Sequence, residues 1–128
     1  MEGLHLTADL GGCACEAALL SDAQRLRERC LGAVARAGLQ AVGELFHRYD
    51  GPAPQGVTGV VLLAESHVAV HTWPELGAVT LDVYVCNFGA DNSAKAEALL
   101  ADLLGAFAPR DVQRHALQRA GALMLRCD

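Results

Sequence analysis

Aromatic residues are scarce: three Phe, two Tyr and one Trp in 128 residues. A core must therefore be built from Ala, Val and Leu. Long hydrophobic runs are missing too. The longest, "VVLLA" at 60–64, falls far short of the ~20 apolar residues that a membrane helix needs. No block of like charge occurs, and the net charge is −5, which argues against a nucleic-acid or anionic-membrane surface. The basic cluster Arg25, Arg27 and Arg29 is interrupted by Glu28 and reads as a solvated helix face. The first residues lack the basic-then-apolar order of a signal peptide. The expectation is a soluble, cytoplasmic protein with neither nucleic acid nor membrane as partner.

Other absences narrow the chemistry. There is no P-loop, no G-x-G-x-x-G and no G-x-S-x-G. The five cysteines are Cys13, Cys15, Cys30, Cys86 and Cys127. An odd count without an export signal predicts thiols rather than a disulfide framework. Cys13-x-Cys15 has no second pair at ligand spacing, so a structural zinc site is not expected. His67 and His71 are four apart, a chelating spacing on a helix. On a strand they would lie ~13 Å apart, too far for one metal, and the alternating β-branched run around them reads as a strand.

What is present is 52% apolar and suits one globular domain spanning 1–128. Residues 3–10 alternate, with Leu4, Leu6, Ala8 and Leu10 on one face, and read as a strand. Ser21 is the expected N-cap of a helix to about Ala37, ended by Gly38. A strand over 40–48 would put Val42 and Phe46 on one face. "DGPAPQG" at 50–56 reads as a loop. Strands are predicted over 57–64, 67–72 and 78–86. A helix over 93–107 carries the stripe Ala96, Leu99, Leu100, Leu103, Leu104 and Phe107, and Pro109 stops it. A last strand falls at 111–117 or 121–126. This order predicts an α+β two-layer sandwich, a mostly antiparallel sheet with two helices on one face. The run 57–64 is apolar on both faces, so the open face calls for cover by a partner subunit.

Taken singly, Ser66 at the "ES" junction reads as a turn residue, His71 as a hydrogen-bonded strand histidine and Cys86 as a small buried hydrophobe. Taken together they read differently. "ESHVAVHTWPE" at 65–75, followed by "LDVYVC" ending at Cys86, resembles the prokaryotic S-adenosylmethionine decarboxylase family, which carries E-S-H-x-x-x-H-T-W-P-E and a cysteine ending the next strand. "GLHLTADLGGC" at 3–13, "FHRY" at 46–49 (F-H-R-F in the family) and "GVTGVV" at 56–61 (G-V-S-G-V-V) extend the resemblance over about three-quarters of the chain.

The resemblance implies a proenzyme that cleaves itself at Glu65–Ser66 into 1–65 and 66–128. The Ser66 hydroxyl would attack the Glu65 carbonyl, and elimination would leave a pyruvoyl group at position 66. That group, in place of PLP and with no metal, would take the substrate amine as a Schiff base and accept electrons as CO₂ leaves. His71 matches the processing base. Thr58 stands where the family has a serine that assists the acyl shift. Cys86 matches the proton donor of turnover. Glu75 would meet the ribose or cationic centre of the substrate, and Tyr49 the adenine. The expected substrate is S-adenosylmethionine, giving the aminopropyl donor of polyamine synthesis. Ornithine or arginine is the alternative substrate, and a non-cleaving regulatory paralogue the alternative role. The family's two-layer α+β fold agrees with the element order, and a homodimer of processed protomers is implied. Three stretches depart from the pattern: the longer loop 50–55, "NFGADNSAK" after Cys86, and "ELGAVTLD", which lacks a tyrosine after W-P-E. The tail beyond Pro109 carries no functional expectation.

Overall fold

The computed structural model describes residues 2–87 and 89–120. The alternating N-terminal segment is strand β1 (Gly3–Gly11), which buries Leu6, Ala8 and Leu10. The helical region that follows corrects the expectation of one helix capped by Ser21. Two helices are found, α1 (Ala17–Ser21) and α2 (Ala23–Arg36). Ser21 ends the first, its hydroxyl donating to the Ala17 carbonyl at 3.1 Å. Asp22 caps the second: its Oδ1 accepts from the N–H groups of Gln24 (3.0 Å) and Arg25 (3.4 Å). A carboxylate at the positive end of a helix adds charge to the capping bond, so Asp22 is the better cap. Leu19 and Leu20 are buried, which gives α1 its own reason to pack.

Strand β2 (Ala41–Arg48) pairs with β3 (Val57–Leu63), and the register slips between Ala41 and Gly43. The extra residue corrects the expected face of β2. Val42 is left 65% exposed, whereas Phe46 packs on the core. Gly59 makes room for that packing, because a Cβ there would stand 2.2 Å from the Phe46 ring. Strand β4 (Ser66–Trp73), a single 3₁₀ turn (Pro74–Leu76) and β5 (Ala78–Cys86) follow. The amphipathic stripe forms α3 (Ser93–Phe107), which ends at a left-handed Ala108 just before Pro109. The last described strand is β6 (Asp111–Arg119). The alternative at 121–126 lies outside the described residues.

All neighbouring strands are antiparallel, in the order β2-β3-β4-β5-β1-β6. The two longer helices lie on one face, α2 against β2 and β3, and α3 against β5 and β1. The fold is thus the α+β sandwich expected, with α1 as a short third helix. Leu26, Cys30, Leu99, Leu100, Leu103 and Phe107 are fully buried between the layers. Each large aliphatic or aromatic side chain so buried contributes roughly 1.5–3 kcal/mol. Thr72 is a polar member of this interior. Its hydroxyl donates to the Leu20 carbonyl at 2.6 Å and accepts from the Val57 N–H at 2.9 Å, so α1 is tied to the sheet without an orphaned polar group. Among the described residues, no helix is long and apolar enough to cross a membrane.

Candidate functional site

Helices cover one face of the sheet; most of the polar side chains of interest lie on the other, whereas Ser66, opposite the core residue Leu63, has the parity of the covered face at the turn end of β4. The strand registers place all five histidines on the open face: His5 on β1, His47 on β2, His67 and His71 on β4, and His115 on β6. The same face exposes Leu45, Leu62 and Leu117.

Ser66 opens β4 directly after a two-residue turn, with Leu63 opposite it in the register. Glu65, the second turn residue, has φ +57°, in the left-handed region. A non-glycine residue there is strained by roughly 1–2 kcal/mol, and the strain sits beside the peptide bond that links Glu65 to Ser66. The Ser66 hydroxyl oxygen accepts from the Cys86 N–H at 3.0 Å. Cys86 itself is buried at the end of β5. Downstream, the "NFGADNSAK" stretch forms an asparagine-stitched turn. Asn92 donates its side-chain amide to the Cys86 carbonyl (2.9 Å) and its backbone N–H to Asn87 Oδ1 (2.8 Å). The Asn87 N–H donates to the Glu2 carbonyl at 2.7 Å. Ser66, Cys86 and the turn after them thus form one anchored cluster.

A second cluster occupies the other end of β4. His71 and Thr58 face each other across β3 and β4, with Thr58 Oγ1 3.1 Å from His71 Nδ1. The Tyr49 hydroxyl bonds Thr58 Oγ1 in turn. The Trp73 ring lies 6.2 Å from that of His71, and the His47 ring meets Tyr49 edge-on at 5.6 Å. A cavity of about 420 Å³ opens beside this group. Tyr49, Asp50, Trp73 and Glu75 line it, together with the prolines of the 50–56 loop. Tyr49 and Glu75, the two residues expected to contact substrate, therefore share a pocket, and the longer loop forms its rim. Trp73 and Asp50 were not singled out from sequence. Trp73 lay in plain view within "HTWPE", and its alternation with His71 was the available signal.

The structure does not bring Ser66 and His71 together. Five residues along one strand separate their backbones by ~16 Å. Within one chain, then, Ser66 and Cys86 meet at one end of the sheet, while Thr58, His71, Tyr49, Trp73 and Glu75 meet at the other.

A third group lies between the strand centres and the far edge. The rings of His5, His67 and Tyr84 contact one another at 5.7–6.3 Å. Arg119 donates to His5 Nδ1 at 3.1 Å and lies over the Tyr84 ring. His5 Nε2, which then carries the proton, stands 3.5 Å from Asp82 Oδ1, beyond good hydrogen-bond range. His67 and His71 share a face of β4 at separate positions along it, and among the described residues no cluster of His, Cys, Asp or Glu has the geometry of a metal centre. Cys13, Cys15, Cys30 and Cys86 are thiols in the structure. Burial pushes the Cys30 thiol up to about 12, and burial also raises Cys13 and Cys15.

The S-adenosylmethionine decarboxylase family model matches residues 4–120. The S-adenosylmethionine decarboxylase proenzyme of Pelotomaculum thermopropionicum is 40% identical over 84 residues, 66% of this chain and 63% of that protein. The proenzyme of Pyrococcus horikoshii is 36% identical over 106 residues, 83% of this chain and 73% of its own. The crystal structure of the adenosylmethionine decarboxylase from Aquifex aeolicus superposes with a TM-score of 0.77 at 35% identity, covering 90% of this chain and 88% of that one. The matched region spans 63% of the length of several bacterial relatives.

Proposed function

The chain belongs to the S-adenosylmethionine decarboxylase family, and from that premise we propose that it is a self-processing, pyruvoyl-dependent decarboxylase acting on S-adenosylmethionine. The observation that carries the reading is the hairpin at Glu65–Ser66. A left-handed Glu65 precedes a serine whose hydroxyl oxygen is held by the Cys86 N–H. A strained peptide with a hydroxyl fixed beside it favours intramolecular attack on its own carbonyl.

In this reading Ser66 Oγ adds to the Glu65 carbonyl carbon, and the peptide C–N bond breaks to leave an ester. Removal of the Ser66 α-proton then expels the Glu65 carboxylate. The dehydroalanine that remains takes up water and loses ammonia. The chain becomes 1–65 and 66–128, and residue 66 a pyruvoyl group. The site fits that group, because Ser66 sits at a chain turn where a new terminus can form without unravelling a strand. When present, the group supplies the electron sink for decarboxylation. Cys86, whose backbone N–H holds the Ser66 hydroxyl, would return a proton to the substrate carbon. Glu75 and Tyr49 offer a carboxylate and an aromatic face in one pocket, suited to a cationic nucleoside.

His71 is the processing base and Thr58 its assistant, but each serves the Ser66 of another copy. The ~16 Å between the two ends of β4 supports this assignment. A homodimer joined through the open faces, with Leu45, Leu62 and Leu117 covered, would bring one chain's Ser66–Cys86 end against the other's Thr58–His71 end. The product class is an aminopropyl donor for polyamine synthesis.

The test is intact mass of the purified protein under denaturing conditions, followed by CO₂ release from S-adenosylmethionine, ornithine and arginine. Two chains split at Glu65–Ser66, the second lighter by one ammonia than hydrolysis would leave, with turnover of S-adenosylmethionine, are the expected results. A single uncleaved chain overturns the processing reading, and turnover of ornithine or arginine alone overturns the substrate.

A further inference from the structure

Two departures from the family pattern touch each other. Tyr49 stands where F-H-R-F would place phenylalanine, Thr58 where G-V-S-G-V-V would place serine, and their hydroxyls are hydrogen-bonded. The chain of bonds continues from Thr58 Oγ1 to His71 Nδ1 at 3.1 Å. From this we infer that Tyr49 is a positioning residue of the processing machinery, whose phenol fixes the Thr58 hydroxyl and through it the tautomer of His71.

A threonine hydroxyl has one proton and two acceptor positions. Left alone it rotates, and either nitrogen of a facing imidazole can then carry the proton. Either oxygen of the Tyr49–Thr58 pair can donate. In the inferred arrangement the Thr58 proton goes to the Tyr49 oxygen, so the contact to His71 is completed by Nδ1–H donating to Thr58 Oγ1. His71 is thereby held as the Nδ1–H tautomer, with Nε2 bare and able to take a proton, the arrangement a general base requires. In the self-processing reading, on which this inference rests, that proton is the Ser66 α-proton.

The geometry around the phenol supports a fixed role. Thr58 pairs directly with His71 across β3 and β4, and His47, the cross-strand neighbour of Thr58 on β2, meets the Tyr49 ring edge-on. The Tyr49 N–H donates to the Gly56 carbonyl at 2.9 Å, which anchors the residue where the 50–56 loop leaves and rejoins the sheet. The longer loop therefore does more than border the pocket: it sets the height at which the phenol meets Thr58.

The test uses Tyr49→Phe, which keeps the ring and removes the hydroxyl. Two-bond ¹⁵N–¹H correlation spectra of the full, uncleaved Ser66→Ala chain report the His71 tautomer with and without the second substitution. The expected result is Nδ1–H where Tyr49 is kept and a mixture with Nε2–H once Tyr49→Phe is added. In the cleavable chain, Tyr49→Phe should slow processing about five- to tenfold by intact mass, the worth of one hydrogen bond. An unmoved tautomer overturns the inference, as does a wild-type cleavage rate in a chain that does cleave. If the wild-type chain never cleaves, the self-processing reading fails by itself, and the tautomer measurement alone decides the role of Tyr49.

Discussion

The two faces of the sheet were built to different rules. On the covered face the inward positions of β1, β3, β4 and β5 are Val, Leu and Ala in alternation, with Thr72 as the polar exception. On the open face histidines, threonines and the aspartates Asp9 and Asp82 alternate with a few exposed leucines. The covered face makes the fold stable. The open face holds the groups that can move protons, and it distributes them between the two ends of β4. In the proposed reading, chemistry on this scaffold therefore needs two copies, while stability needs one.

Breaking the covered face should give the largest effect. Phe107→Ala removes a fully buried ring and should cost about 3–5 kcal/mol, read as a lower midpoint in urea. Ser66→Ala, at the partly exposed turn end of β4, should leave that midpoint nearly in place. Equal losses from the two would erase the distinction. Next in size is Cys86→Ala. Cleavage should proceed, since the contact to Ser66 Oγ is made by the backbone N–H, while turnover falls on the order of 10²–10³-fold through loss of the proton donor. Normal turnover would remove Cys86 from the mechanism.

The effect that is smallest near neutral pH concerns alkaline stability. Burial raises the Cys30 thiol from 9.0 to about 12. An unfolded chain ionises this thiol near its ordinary value, so the folded state holds a proton that the unfolded state has lost. Stability from this group is full below about pH 9 and declines as pH rises toward 12, by about 1.4 kcal/mol per pH unit. Cys30→Ala should flatten that alkaline slope in urea melts; an unchanged slope would assign it to other groups.

Much of this was readable in the chain. Helix 93–107 was legible because its stripe is long and its stop is a proline. The strands around 57–86 were legible because alternation survives wherever one face is buried. The cap at Asp22 was missed because a serine one residue earlier offers similar chemistry. The slip at Val42 was hidden because register is a property of two strands. Tyr49 and Thr58 are nine apart across a loop, and a hydroxyl contact of that kind depends on how the loop returns. The separation of Ser66 from His71, by contrast, was within reach of sequence. The strand arithmetic that excludes a shared metal for His67 and His71 also excludes action by His71 on its own chain's Ser66.

The most direct test co-expresses two chains that are each defective, Ser66→Ala and His71→Ala. A mixed dimer then contains one complete site, with Ser66 from the His71→Ala chain and His71 from the Ser66→Ala chain. Intact mass should show each variant uncleaved when made alone, and cleavage at Glu65–Ser66 of the His71→Ala chain alone when the two are made together. Cleavage of His71→Ala by itself, or none in the mixture, would contradict a processing site shared between two copies.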